Sequence, residues 1–463
     1  MKYFLIVLFA VSLYACKKDS FITTADASIR TSVDSIHFDT LFTTFGSTTR
    51  FVKIHNTNNE HLRISNIELA GGNASFFRIN ADGTPGPIIQ NVEIAPNDSA
   101  YIFVTVTIDP NANALPFILR DSISIEYNGN VKWVQLEAWG QNARFFRSRT
   151  IASDETWDNS LPYVITGPLI VADNTTLTIE EGTKVYLHAD APLVVDGTLL
   201  VNGKVHDSTR VVFTGDRLDE PYRDFPGSWP GIYFRQTSKD NIITYAIIRN
   251  AYQGIVTEKP SVNANPKVML NSCIVDNCYD AGLIGAASSI NAVNCLFSNN
   301  GKNMVLVQGG TYDFTHCTSA AYSTSFILHK DPVLLVTDFI KNGNVIIAGN
   351  LTAHFTNCIF WGDNGSVENE IVTGKQGTGT FDITLTNCLW KAKTDVPDIT
   401  KVNSIINQDP LFDSVDIQNK VFTFRLKTGS PAIDKGAVTL VTTDLEGKSR
   451  FPGIPDIGSY EKN

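Results

Sequence analysis

The chain has 463 residues, 43% of them hydrophobic and 18% charged, with a formal net charge of −10. That is ample material for ordered apolar cores, and the acidic balance argues against a nucleic-acid or anionic-membrane surface, both of which need basic patches. The length suits about three ordinary domains, or fewer if part of the chain is a solenoid.

Met1-Lys2-Tyr3 leads into an apolar run from Phe4 to Leu13, too short to cross a bilayer as a mature helix. The run ends at Leu13-Tyr14-Ala15-Cys16, which resembles the lipobox of bacterial lipoproteins, with Tyr14 bulkier than usual. The resemblance implies that residues 1–16 are a lipoprotein signal peptide and that Cys16 is lipidated, its several acyl chains holding the protein to a membrane. Lys17-Lys18-Asp19 resembles the export signals of bacteroidete-type surface lipoproteins. That likeness implies an outer-membrane, cell-surface location. Residues 17–25 read as a tether.

From 26 to 143 short alternating stretches follow one another, broken by Asn, Gly and Pro: Val33-Asp34-Ser35-Ile36-His37-Phe38, Phe51-Val52-Lys53-Ile54-His55-Asn56, Tyr101-Ile102-Phe103-Val104-Thr105-Val106 and Val134-Gln135-Leu136-Glu137-Ala138 among them. Strands at this spacing predict a β-sandwich. Their order resembles immunoglobulin-like domains of the abnormal-spindle and hydin type, which implies a binding or spacer module, with a stalk beside the lipid anchor as the simplest role. Residues 144–168, carrying Phe145, Phe146 and Trp157, read as a linker and N-terminal cap.

From 169 to 405 the chain repeats itself. Cys273, Cys295 and Cys317 stand 22 residues apart, and Thr176-Leu177-Thr178-Ile179 returns 22 residues later as Thr198-Leu199-Leu200-Val201. Cys358 and Cys388 carry the same phrase at wider gaps, as coils with insertions would. A fixed short period of β-rich phrases between Asn- and Gly-rich turns predicts a parallel β-helix, whose rungs bury their apolar side chains against one another. Cys273, Cys295, Cys317, Cys358 and Cys388 then form one interior stack, and Asn271, Asn294, His316, Asn357 and Asn387 a ladder at the preceding turn. Stacked cysteines are too far apart and too parallel for disulfides, so packed thiols are expected, with Cys273–Cys278 the pair in question. No Cys-x-x-Cys occurs, and no metal site is expected. The succession Ile179 to Gly203 and the later Gly231-Ile232-Tyr233-Phe234 resemble right-handed parallel β-helices of the pectate-lyase-like superfamily. That superfamily holds lyases, hydrolases, adhesins and binding scaffolds alike, so the likeness speaks to fold and not to reaction.

The densest polar stretch is a loop out of the coil wall: Asp216, Arg217, Asp219, Glu220, Tyr222, Arg223, Asp224 and Trp229. Carboxylates beside Arg and aromatic rings suit an acidic-sugar site or a Ca²⁺-assisted lyase. Equally, Asp and Arg can pair with each other while Tyr222 and Trp229 pack the loop to the wall. Arg249 and Asp276 fall at equivalent places in neighbouring strands, where a cross-strand salt bridge is expected. Tyr245 is expected to face outward beside the loop. The motifs of polygalacturonases and pectate lyases are missing.

The last section, 406–463, contains Ser430-Pro431-Ala432-Ile433-Asp434, Asp444-Leu445-Glu446-Gly447-Lys448-Ser449-Arg450 and Pro455-Asp456-Ile457-Gly458-Ser459-Tyr460-Glu461. It resembles the ending of many exported bacterial β-helices and reads as last coils and C-terminal cap, with Asp434, Asp444, Arg450 and Asp456 in a buried ion-pair and turn network. The whole chain thus predicts an all-β surface lipoprotein whose β-helix binds glycan or another surface polymer without catalysis. A polysaccharide lyase or glycoside hydrolase acting through the 216–229 loop is the alternative, and a structural cell-surface protein a third. No cofactor is expected; Ca²⁺ enters only with the lyase.

Overall fold

The computed structural model of the chain describes residues 20–42, 48–107, 117–363 and 365–462, so the lipobox and Cys16 lie outside the described residues. The chain is all-β and divides into two compact units, Met1–Asn142 and Ala143–Asn463.

The first unit is a sandwich of two five-stranded sheets. Its strands are β1 (Ile29–Thr31), β2 (Ser35–Phe42), β3 (Arg50–Asn56), β4 (Leu62–Leu69), β5 (Phe77–Ala81), β6 (Thr84–Pro85), β7 (Ile88–Ile94), β8 (Ser99–Val106), β9 (Phe117–Tyr127) and β10 (Asn130–Gln141). One sheet runs β1-β3-β8-β5-β6 and the other β2-β10-β9-β4-β7. Strict alternation puts Val52 and Ile54, Ile102 and Val104, Ile123 and Ile125, and Val134 and Leu136 into one core between the sheets. Asn128 and Gly129 join β9 to β10 with φ of 46° and 79°, the paired left-handed conformation that matches strand twist in a tight hairpin. Residues 20–25, read as tether, are already held by this unit: Ile22 donates to the His61 carbonyl, and Asn130 Nδ2 to that of Ala25.

The second unit is a right-handed parallel β-helix. Its 26-stranded sheet starts at Arg144–Ile151 and ends at Ile405–Ile406, and every strand pairing within that sheet is parallel, while Phe339–Asn342 and Val345–Ala348 form a separate antiparallel hairpin. Residues 144–168 are therefore no linker. Arg144–Ile151 lies in register on Tyr163–Val171, and Trp157 stacks on Tyr163 at 4.2 Å, with both rings buried in the first coils. Alternation alone explains this: Val164 and Ile165 follow Tyr163 with the pattern of the coils above, so nothing marks them off as a connector.

Register shows the coil length directly. Thr176 lies beneath Thr198, and Val268–Asn271 beneath Ile290–Val293, in coils of 22 residues. Two coils are much longer. The one closing on Asn241 is 42 residues and the one closing on Asn357 is 41, and each carries a loop out of the wall. Ile274, Leu296, Thr318, Ile359 and Leu389 are register partners in turn, so the cysteine before each stands in a single column. All five are free and buried, as is Cys278. Each thiol donates to a carbonyl of the coil below, Cys295 to Leu270 and Cys317 to Ala292 at 3.5 Å. Burial pushes the Cys273, Cys295, Cys317 and Cys358 thiols well above the ordinary range, so they behave as small apolar groups.

The expected ladder needs two corrections. Asn271 belongs to the strand; the turn position before Cys273 is Ser272, which shares the left-handed φ of Asn294, His316, Asn357 and Asn387. And the row bonds mostly sideways. Asn357 reaches His316 at 2.9 Å, but Asn294 donates to Thr443, Asn357 to Ala437 and Asn387 to Lys435. Those acceptors belong to the C-terminal segment. After the hairpin Phe412–Asp416/Val421–Leu426, residues 427–462 run along the flank of the stack, so the cap is a lateral strap. It covers Leu296, Ile359 and Leu389, whose side chains point outward and would otherwise face water.

Arg450 pins the strap. Fully buried, it meets Glu461 at 2.8 Å and donates to Asn294 Oδ1 and the Gly458 carbonyl. Asp444 accepts the backbone N–H of Glu446, Lys448 and Glu461, and Asp456 those of Asp434 and Lys462. Asp434 is exposed and contributes only its N–H, because its left-handed backbone turns the side chain outward; Glu461 is Arg450's partner instead.

Replacing Arg450 with Ala should lower unfolding free energy toward the lower end of about 3–5 kcal/mol, the usual range for breaking a buried pair, because burial already lifts Glu461 to about 7 and lets it protonate. Denaturant unfolding measures this. Reductant should leave the melting temperature unchanged, and the six thiols from Cys273 to Cys388 should react with a thiol reagent only after unfolding.

Candidate functional site

The two long coils meet. Phe225, in the loop after Val211–Gly215, and Phe326, in the loop after Thr318–Ala321, touch with ring centroids 5.0 Å apart. Between them pass the strand ends of the intervening coils, Arg249, Asp276 and Ser298, which are register partners. The loops arch over these ends and leave a cleft of about 160 Å³ lined by Asp224, Arg249, Asn250, Asp276, Asn277, Asn299, Phe326, Lys420 and Phe422.

An asparagine ladder forms the floor. Asn250, Asn277 and Asn299 directly follow their strands with φ of 62°, 54° and 50°. Asn277 Nδ2 donates to Asn250 Oδ1 at 2.8 Å and to the Asp224 carbonyl, while Asn250 holds the Arg223 carbonyl at 2.7 Å. Asn299 accepts the Tyr322 N–H at 3.0 Å and so anchors the other loop. The sequence carries this row as an Asn directly after each of the phrases Ala246–Arg249, Ile274–Asp276 and Leu296–Ser298.

Most of the eight loop residues do not face the cleft. Arg217 is bidentate to Asp219 and lies over the Tyr222 ring at 4.1 Å; Arg223 pairs with Glu220 at 2.5 Å. Asp216 is hydrogen-bonded to His188 Nδ1 at 2.7 Å, and Asp190 accepts the Gly167 N–H. Trp229, three residues before the strand Ile232–Phe234, is 1% exposed, packs in the β-helix core and donates its indole N–H to the Arg249 carbonyl. Asp224 alone of the eight lines the cleft. Tyr245 is half-buried under Arg210, whose guanidinium is needed to bond Ser272 and Leu445.

Asp276 is the group with the most unusual setting. Burial pushes its carboxyl up to about 6, against the opposing pull of the Ser298 hydroxyl at 2.6 Å, the Arg249 charge and the Asn277 N–H. The expected cross-strand salt bridge is missing: Arg249 and Asp276 are adjacent in register, yet Arg249, exposed at the cleft, acts on Asp276 through its charge alone. Lys420 adds a second cation there, 4.8 Å over the Phe326 ring. The 322–333 loop is fixed at its far end by His329, which lies between Asp363 at 3.1 Å and Glu370 at 3.2 Å. Burial pulls His329 down, but the bonds and charges of the two carboxylates outweigh it and hold the imidazole above its ordinary value.

Next to the 216–229 loop an exposed aromatic pair climbs the stack. Tyr252 and Tyr279 sit in consecutive coils, 47% and 56% exposed, with rings 5.7 Å apart and 26° from parallel. Gly227 packs against both, where a Cβ would meet Tyr279 at 3.4 Å. Among the described residues no three His, Cys, Asp or Glu side chains converge as a metal site.

Residues 163–319 match the family described as right handed beta helix region. No curated protein matches the chain. Among solved structures, a family 123 glycoside hydrolase from Clostridium perfringens, described for glycolipid glycan hydrolysis, is similar over 28% of this chain and 26% of its own, at 11% identity and a TM-score of 0.19. The ASH/PapD-like domain of human CEP192 is similar over 27% of this chain and 96% of its own, at 8% identity and a TM-score of 0.17. The chain thus spans about a quarter of the hydrolase's length, and overlaps this slight carry no functional argument.

Proposed function

We propose that the β-helix binds a glycan along its flank, in the cleft and over the adjoining tyrosine pair, as a lipoprotein displayed on the outer membrane through Cys16, with the sandwich as spacer. The observation that carries this reading is the pair Tyr252 and Tyr279. Two exposed rings in consecutive coils stand 5.7 Å apart, and exposed aromatic surface takes the C–H side of pyranose rings. Arg249 and Lys420 supply donors for hydroxyl or carboxylate groups beside it. Calorimetric titration against a panel of polysaccharides should find a binder whose affinity falls by about tenfold in Tyr252→Ala/Tyr279→Ala and in Arg249→Ala. Undiminished binding in both would overturn the reading.

Asp276 favours a second reading, catalysis. A carboxyl that titrates at about 6, in a cleft with Asp224 and two cations, is suited to act as a general acid in glycoside cleavage or as a base in lyase chemistry. Release of reducing ends or unsaturated uronate, abolished in Asp276→Asn, would establish it.

The raised carboxyl also sets a pH dependence. The folded state holds the Asp276 proton more tightly than the unfolded chain, so stability falls as pH climbs from about 4 through about 6. Glu461 acts with the same sign, so the difference between wild type and Asp276→Asn isolates Asp276. The variant should match wild type in melting temperature near pH 4 and exceed it at pH 8.

A further inference from the structure

The outer face of the β1-β3-β8-β5 sheet is unlike the rest of the acidic chain. Alternation that buries Val52, Ile54, Ile102 and Val104 turns Phe51, Lys53 and His55 outward on β3, and Tyr101, Phe103 and Thr105 outward on β8. Phe51 is 53% exposed, Tyr101 38% and Phe103 43%. Register sets Phe51 opposite Phe103 and Lys53 opposite Tyr101, with Asn80 on the far side of Phe103. The three rings hold one another: Phe51 meets Tyr101 edge-on at 5.4 Å, and Tyr101 and Phe103 lie 6.0 Å apart with planes only 13° from parallel.

Cations surround this patch. Lys53 places its ammonium 5.4 Å over the Tyr101 ring, Arg30 stands opposite His55, and Arg78 stands opposite Thr105. Burial first, and then the charges of Lys53 and Arg30, lower the His55 imidazole, so it stays neutral and free to bond a hydroxyl. No outward position on these four strands is Asp or Glu, in a chain with a net charge of −10.

We propose that this face is a second, separate binding surface, for a carboxylated polysaccharide. Sugar rings stack on Phe51, Tyr101 and Phe103, and uronate carboxylates meet Lys53 and Arg30. Other occupants fit less well. A second copy of the chain would set like charges face to face across a two-fold axis. Rings laid against their neighbours do not project as the wedges that enter a lipid surface. The surface is independent of the cleft on the β-helix and stands or falls without it.

The test uses the full chain and immobilised polygalacturonate, with dextran as the uncharged control. Binding to polygalacturonate alone is expected, weakening as salt rises. Phe51→Thr/Phe103→Thr and Lys53→Glu should each weaken it by about tenfold at an unchanged melting temperature, while Lys53→Arg retains it. Threonine keeps the strand preference, so loss of fold does not confound the outcome. Tyr252→Ala/Tyr279→Ala should leave polygalacturonate binding by this face in place, which separates it from the reading of the β-helix. Unchanged retention in the face variants would overturn the proposal. So would retention lost only through β-helix variants, a change in sedimenting mass in the face variants, or binding to phosphatidylserine vesicles with none to polygalacturonate.

Discussion

Everything in the second unit depends on parallel backbone register. Because each strand bonds to the equivalent strand of the next coil, any residue type that recurs at the coil period becomes a column. Leu177 under Leu199, Val201 under Ile243 and Phe314 under Phe355 fill the interior this way. Each buried aliphatic or aromatic side chain contributes about 1.5–3 kcal/mol, and the stack collects them without any long-range folding back. The cysteine column is the same principle with a smaller side chain, its weak S–H donors taken up by carbonyls of the coil below.

Columns also form at the corners, and there they separate structure from function. The row Asn294, His316, Asn357, Asn387 faces the C-terminal strap and is consumed in holding it. Burial there, with the nearby Arg450 charge, drives His316 down to about 3, so it remains neutral, and its role is an acceptor in that seam. The row Asn250, Asn277, Asn299 has no strap over it. It holds two insertions by their backbones instead, and leaves an open cleft between them. One coil geometry therefore yields a sealed flank and an accessible one, depending on what lies across the corner.

The insertions show why long loops in a solenoid are worth reading together. The loop after Gly215 and the loop after Ala321 are about a hundred residues apart in the chain, yet the coils between them are short, so their tips meet at Phe225 and Phe326. Charges inside the first loop are largely spent on each other. Arg217 with Asp219, and Arg223 with Glu220, order the loop, and what the cleft receives is Asp224 and the backbone.

The amino-acid sequence alone was enough for the class and layout of the fold, because both rest on periodicities that local chemistry imposes: period two in the sandwich, and the 22-residue return of Cys and Thr-Leu phrases in the β-helix. It showed the cysteines as one file for the same reason. Which asparagines bond to which was beyond it, since Asn271 and Ser272 differ by a single step of register and only the paired strands decide it. It also could not tell that Trp229 turns inward, that Asp434 turns outward, or that the last segment lies along the flank. Those outcomes follow from contacts between residues far apart in the chain, as between Arg450 and Asn294, and no local pattern encodes such partners. The cleft belongs to the same class: its lining comes from six separate stretches, brought together only when the coils are wound.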